Sequence, residues 1–288
     1  MSVMAYGGSG AAWPGVRKRL MQALALTVAL LVGAIVLVPL VYVVVGGFRS
    51  TGEIAAQPVA WPQPWMIHNY TEILTSSSFW QEVGNSAFIA IVATVGVVGT
   101  GALAAYPLAR FDFRARGALY ALFVFGLLFP AGAAALPIYL MLRQLNLLDS
   151  LLGVALPEAA FGLPLTIVIL RPFMRAIPAE LEDAAVIDGC SRFAFFWRIL
   201  LPLSGPALAT VAIITFVTSW NAYQLPLLVL SDSSGFTLPL GVANYYSQYT
   251  ADTARILAFT ALSMLPALGF FVLAERRIVG GLAGAVRG

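Results

Sequence analysis

The sequence has one cysteine (Cys190), one histidine (His68) and one lysine (Lys18) in 288 residues. A single cysteine excludes an internal disulfide, and without a His/Cys cluster no zinc site can be built. No G-x-x-x-x-G-K-[ST] run is present, so the chain does not cradle ATP phosphates through a P-loop. Charge is scarce as well: 10% of the residues are Asp, Glu, Lys or Arg, against about 25% in an ordinary soluble domain. With 60% of the residues apolar, there is more apolar surface than a soluble fold can hide, and a lipid bilayer is the expected surrounding. No internal repeat, low-complexity tract or soluble domain is visible.

What is present is apolar length. Stretches of the about 20 residues needed to cross a bilayer fall near Leu20–Phe48, Val83–Ala109, Ala118–Leu142, Leu151–Phe173, Leu203–Leu230 and Ile256–Ala274. Pro130 and Pro137 with Gly132 should kink the third. The first follows Arg17, Lys18 and Arg19. Its apolar run is too long for a signal peptide and no small-residue cleavage site ends it, so it reads as an uncleaved span. If both termini share one side, thirteen of the sixteen cations lie there and only Arg49, Arg143 and Arg255 lie opposite. That bias makes the cation-rich side, and both termini, cytoplasmic. Two outer loops follow: residues 49–82, with WPQPW leading into HNYTEIL as a turn and short amphipathic helix, and the Tyr-rich residues 231–255.

The segment ELEDAAVIDGCSRFAFFWRILLP, residues 180–202, stands apart from the rest. Four of the thirteen carboxylates, Glu180, Glu182, Asp183 and Asp188, fall within nine residues of it. Ile177-Pro178 ends the preceding span, because a residue before proline avoids the helical region. Acids in the next first turns suit the positive end of a helix dipole, and Gly189 stops that helix. A second helical stretch carries Phe193, Phe195, Phe196 and Trp197 to Pro202. The expected product is a cytoplasmic elbow of two short helices, aromatic on one side and acidic on the other, with Ala184 and Ala185 as a small-residue surface.

Asp183-Ala184-Ala185, three residues, Gly189, nine residues, Ile199, one residue, Leu201-Pro202 resembles the signature E-A-A-x3-G-x9-I-x-L-P of the membrane subunits of binding-protein-dependent ABC importers, with Asp183 standing for the usual Glu. HNYTEIL, AAYPLARFDFRARG, LPIYLMLRQLNLLDS, SWNAYQLPLLVL and RRIVGGLAGAVRG are similar to segments of the maltose-type carbohydrate permeases, the last to the C-terminal tail of the smaller one. The resemblance implies an all-α, six-helix type I importer permease in a bacterial inner membrane. Its segments are a cytoplasmic 1–19, a membrane domain 20–274 with a coupling loop over about 174–202, and a tail 275–288. It implies that the loop docks on an ATPase through Glu182, Asp183, Ala184, Ala185, Asp188, Gly189, Ile199, Leu201 and Pro202, with the aromatics anchoring it. The tail residues Gly284, Ala285, Val286, Arg287 and Gly288 would reach between the ATPases. The implied partners are a second permease, two ATPases carrying ATP and Mg, an extracytoplasmic sugar-binding protein and the lipid bilayer. No cofactor, metal, nucleic acid or bond chemistry is expected of the chain itself.

Polar groups inside spans are candidates for contact with cargo. Thr218, Asn221 and Gln224 recur every three residues and would share one helix face, with Tyr223 nearby. Such groups either meet a sugar or bond neighbouring helices. Glu158, about 10 Å into the fourth span by helical rise, must face protein, a water-filled cavity or the outer interface. A phosphate-bearing cargo would find only Arg143 and Arg255 on the outer side. The alternative is a gradient-driven transporter or channel, which calls for midplane acids, broken helices in paired positions and an inverted repeat.

Overall fold

The computed structural model describes the backbone of residues 13–247 and 249–285, and the side chains of residues 18–247 and 249–269. Its described residues are helical apart from turns and one isolated bridge, Tyr246 to Ala251. Helix α1 (Trp13–Gly46) is followed by short helices α2 (Thr51–Ala56) and α3 (His68–Thr75), then by α4 (Ser77–Arg110). Ser50 starts α2 as a capping box: its hydroxyl accepts from the Glu53 N–H, while its own N–H donates to the Glu53 carboxylate. The HNYTEIL segment forms α3 as expected. Asn69 ties it down by donating to the carbonyls of Gly47 and Arg49, both at 3.0 Å. The Tyr70 hydroxyl donates to the Val44 carbonyl at 2.6 Å, and burial pushes its phenol up to about 12, so it stays a donor.

Helices α5 (Arg116–Gly126) and α6 (Ala135–Gln144) make up the third apolar segment, and α7 (Leu151–Ala176) the fourth. The elbow comprises α8 (Glu180–Ile187), α9 (Arg192–Phe195), a π-turn over Phe196–Leu200 and α10 (Leu201–Leu203). Helix α11 (Gly205–Trp220) leaves it, and α12 (Gln224–Val229), α13 (Leu238–Gly241) and α14 (Thr253–Ala285) complete the chain. The elbow gathers at one end of the bundle with Arg110 and Arg171. Residues 47–76 and 231–252 gather at the other.

Continuity of the spans is broken at two places, the first at the kink expected from Pro130 and Gly132 and the second where none was expected. Among the described residues, three stretches are long and apolar enough to cross a membrane unbroken: Lys18–Gly46, Ser77–Arg110 and Leu151–Ala176. The third segment instead bends by 95° between Arg116–Gly126 and Ala131–Gln144, where Pro130 and Gly132 interrupt the helical ladder. The fifth bends by 74° from the elbow into α11 and stops at Trp220. A straight continuation would leave the Ala222 carbonyl without the N–H that Pro226 lacks, although α7 runs unbroken through Pro157, Pro164 and Pro172. Pro226 is tolerated in the first turn of α12, where N–H groups have no helical partner. At the last segment, α14 runs on to Ala285, past the boundary expected at Ala274.

Inside a bilayer the association of helices comes from close packing, since lipid is as apolar as leucine. The α4–α7 seam shows this. A methyl placed on Gly101 would sit 2.3 Å from the Thr166 Cγ2, and one on Gly162 would sit 2.7 Å from the Val97 Cγ2. The two glycines lie on opposite helices, so each backbone meets the other's branched side chain. Below the seam Tyr106, Leu170, Met174, Phe195, Phe196 and Leu200 form a buried cluster that holds the elbow to the bundle.

At the opposite end, one face of α4 grips the 231–252 loop. Asn85 donates to the carbonyls of Ser234 and Phe236, both at 2.9 Å, Ser86 accepts from the Leu238 N–H at 2.8 Å, and Glu82 accepts from Asn244 at 2.7 Å. Glu82 is the last residue of the outer loop expected over residues 49–82. It is in fact buried, under a loop about 160 residues later.

Candidate functional site

The elbow is built from its stops. Helix α7 ends at Ala176, and Ile177, before Pro178, takes an extended conformation with ψ 131°. Helix α8 opens with Glu180, Glu182 and Asp183 in its first turn. It closes on Gly189, whose φ of +77° lies in the left-handed region. The Cys190 N–H reaches back to the Ala185 carbonyl at 2.8 Å and the Gly189 N–H to the Val186 carbonyl at 3.0 Å. This is a Schellman closure, and it aims α9 back toward the bundle. Ser191 caps α9 by accepting from the Ala194 N–H.

Packing divides the elbow differently from the expectation. Phe195 and Phe196 are buried among Tyr106, Leu170 and Met174, whereas Phe193 is 70% exposed and Trp197 is largely exposed beside it. Only the first two therefore anchor the elbow. Ala185, expected on the outer surface, is 6% exposed and belongs to the core. With 3.6 residues per turn, Glu182 and Ala185 share the face turned to the bundle, and Asp183, Ala184, Val186 and Ile187 turn outward. Ile199 and Leu201 likewise pack inward against the core.

The outer face thus combines Asp183, Ala184 and Asp188 with Leu181, Val186, Ile187, Phe193 and Trp197. Leu181, Val186 and Ile187 were missed in the sequence, although they sit within an otherwise acidic helix, and Phe193 and Trp197 were expected to anchor the elbow rather than to face outward. Arg110 locks the elbow from behind. Its guanidinium donates to the Ile177 carbonyl at 2.7 Å, and its Nε lies 3.9 Å from a Glu182 oxygen. Of the tail residues, Gly284 and Ala285 end the backbone of α14, and Val286, Arg287 and Gly288 lie outside the described residues.

The second candidate is a cavity of about 510 Å³ between α7, α11, α12 and the bend of the third segment. Glu158, Thr218, Asn221, Tyr223 and Gln224 all line it. They do not share a helix face: Thr218 is on α11, Asn221 is its C-cap, Tyr223 lies in the break and Gln224 begins α12. The break brings them together, which no helical spacing would. Ser219, one position from Thr218, donates its hydroxyl to Glu158, and the other Glu158 oxygen is buried without a partner. Non-helical backbone at membrane depth persists only where protein buries it or a wet cavity receives it. Here the two interruptions, around Ala131 and around Ala222, face the same cavity.

Residues 96–278 match the family described as binding-protein-dependent transport system inner membrane component. The chain is 34% identical to the diacetylchitobiose uptake system permease protein NgcG of Streptomyces coelicolor over 86% of its own length and 83% of that protein's. It is 32% identical to the arabinooligosaccharides transport system permease protein AraQ of Halalkalibacterium halodurans, over 87% and 91% of the two lengths. Its fold superposes with a TM-score of 0.78 on a chain of a bacterial ABC transporter involved in the import of the acidic polysaccharide alginate. That match covers 95% of this chain and 99% of the other at 20% identity.

Proposed function

The chain belongs to the binding-protein-dependent transport system inner membrane component family, and on that basis we propose that it is one of two permease subunits of an ATP-driven carbohydrate importer in a bacterial inner membrane. The observation that carries this reading is the outer face of the elbow. Acids and bare apolar side chains meet there on a segment held rigidly from behind, which is the make-up of a surface waiting for a protein. The partner is an ATPase, present in two copies and supplying ATP and Mg. Both termini lie on its side, the cytoplasm, in keeping with the cation bias. A second, homologous permease completes the pathway, and an extracytoplasmic sugar-binding protein delivers cargo to the loops at the far end. Relatives named for diacetylchitobiose and arabinooligosaccharide uptake support an oligosaccharide as that cargo.

Coupling follows from connectivity. Helix α7 enters the elbow and α11 leaves it, and these same helices wall the 510 Å³ cavity. Closure of the ATPases moves the elbow, the elbow moves both walls, and the cavity changes the side to which it opens. ATP drives this only insofar as it distinguishes the two states energetically. Neutral hydroxyl and amide groups at Thr218, Ser219, Asn221 and Gln224 suit a sugar. The tail through Gly288 extends the contact with the ATPases.

The test is affinity purification of the tagged chain in mild detergent. A second membrane subunit and a P-loop ATPase are expected to accompany it. Two interrupted helices beside an intramembrane acid also fit a gradient-driven transporter. A chain that purified alone and still transported would establish that second reading.

Arg110 gives a graded check. Arg110→Ala leaves the Ile177 carbonyl without its donor and frees Glu182. A hydrogen bond from a charged group is worth about 1.5–3 kcal/mol, so uptake should fall by about tenfold or more. ATPase co-purification should persist, because the outer face is untouched. Unchanged uptake would show that the elbow moves without this lock.

A further inference from the structure

The ionisable lining of the cavity is of one sign. Among the described residues that line it, Glu158 is the one carboxylate, and no Arg, Lys or His accompanies it. One of its oxygens accepts the Ser219 hydroxyl, and the other is buried with no donor. The two cations that an anionic cargo would need are elsewhere. Arg143 is exposed in the last turn of α6, and Arg255 is paired with Glu72 and Asp252 at the far end.

This asymmetry has a direct electrostatic consequence. A carboxylate at the cavity wall attracts an entering hydroxyl dipole, and more strongly an entering ammonium, because opposite full charges attract directly in a poorly screened medium. An entering carboxylate, sulfonate or phosphate meets like charge in a medium that screens it poorly. No cation lining the cavity offsets that repulsion. Its alternative is to enter together with a proton on Glu158, and the free energy of taking up that proton weakens its binding.

We propose that this cavity sorts saccharides by charge, taking neutral and amine-bearing sugars, holding the amine more tightly, and refusing those that carry an anionic group, with Glu158 as the specificity-determining residue. The inference rests on the cavity being part of the substrate pathway.

The test uses the assembled importer in detergent, without its binding protein, and three disaccharide probes of similar size. These are cellobiose, the free diamine of chitobiose, and digalacturonic acid. Dissociation constants read by titration or by saturation-transfer NMR are expected to rise in the order amine, neutral, anion, by about tenfold at each step. Glu158→Gln keeps the shape and removes the charge, and it should bring the amine and the neutral sugar within about twofold of each other while the anion gains. Glu158→Asp keeps the charge and should keep the order, which separates charge from a folding defect. Equal binding of the three probes by the native importer, or an order that survives Glu158→Gln, overturns the charge proposal while leaving the pathway reading intact. Failure of every probe to bind an importer that still holds its ATPases overturns the pathway reading, and the proposal with it.

Discussion

Ile187→Asp is expected to release the ATPase from the purified complex while the membrane fold survives. Ile187 is 86% exposed at the end of α8, flanked by exposed Val186 and Asp188. Burying such a side chain in a partner contributes about 1.5–3 kcal/mol. Placing a carboxylate in the same pocket adds the cost of desolvating a charge with nothing to pair it. Together they amount to a loss of affinity of about a hundredfold or more. Asp183→Arg reverses an outward charge and should weaken the complex in the same way, through electrostatic mismatch. Ala185→Asp serves as the contrast. Ala185 is core, so that change should lower the melting temperature of the chain itself rather than dissociate an otherwise stable one. Retention of stoichiometric ATPase by Ile187→Asp, with the melting temperature unchanged, would remove the elbow's outer face from the interface.

The sequence and the structure agree where the signal is local and part where it is not. Apolar runs announced the segments because each must satisfy its backbone internally over the thickness of a bilayer. Pro130 and Gly132 announced the bend they sit in. The break after Trp220 was hidden, since Asn221, Ala222 and Tyr223 carry no stop of their own. Pro226 lies four residues past the carbonyl it would leave unpaired, and since α7 holds three prolines without breaking, a proline alone does not mark a stop. The set Thr218, Asn221 and Gln224 was therefore gathered correctly at one cavity but for a wrong reason, a helix face that the chain does not form. In the elbow, Gly189 was legible because only one backbone conformation makes that turn. The burial of Ala185 was not, because the inward face of a short helix is chosen by what it rests on, here Phe196 and its neighbours. Phe193 and Phe195, two positions apart on α9, point to nearly opposite faces, so only one ring can enter the core, and which one does depends on how the elbow rests on the bundle. Glu82 is the extreme case, an acid whose burial depends on a loop distant in sequence.

Gly101→Ala is expected to be among the most damaging single-methyl additions in the chain. In most helices such a change stabilises by up to about 1 kcal/mol, because alanine forms helix more readily than glycine. At Gly33, where no atom lies within 4 Å of the added carbon, that gain should appear. At Gly101 the new methyl meets Thr166 at 2.3 Å from Cγ2 and 3.2 Å from Cβ. Threonine in a helix divides between two rotamers, but Thr166 is fully buried, so turning its side chain only moves the methyl against other packed atoms. The seam must open instead, at about 3 kcal/mol, the upper end of the range for overpacking. The loss should propagate, because α7 carries the elbow at its end and the cavity wall at Glu158. Thr166→Ala removes the Cγ2 and the shortest contact with it. The double variant Gly101→Ala/Thr166→Ala should therefore recover most of the stability that Gly101→Ala loses, and neither single change should predict it. Melting temperatures of the four proteins, read in one detergent, decide the matter. Additive losses in the double variant would mean that the two helices are not held apart by this contact, and that the stiffness ascribed to the α4–α7 seam lies elsewhere.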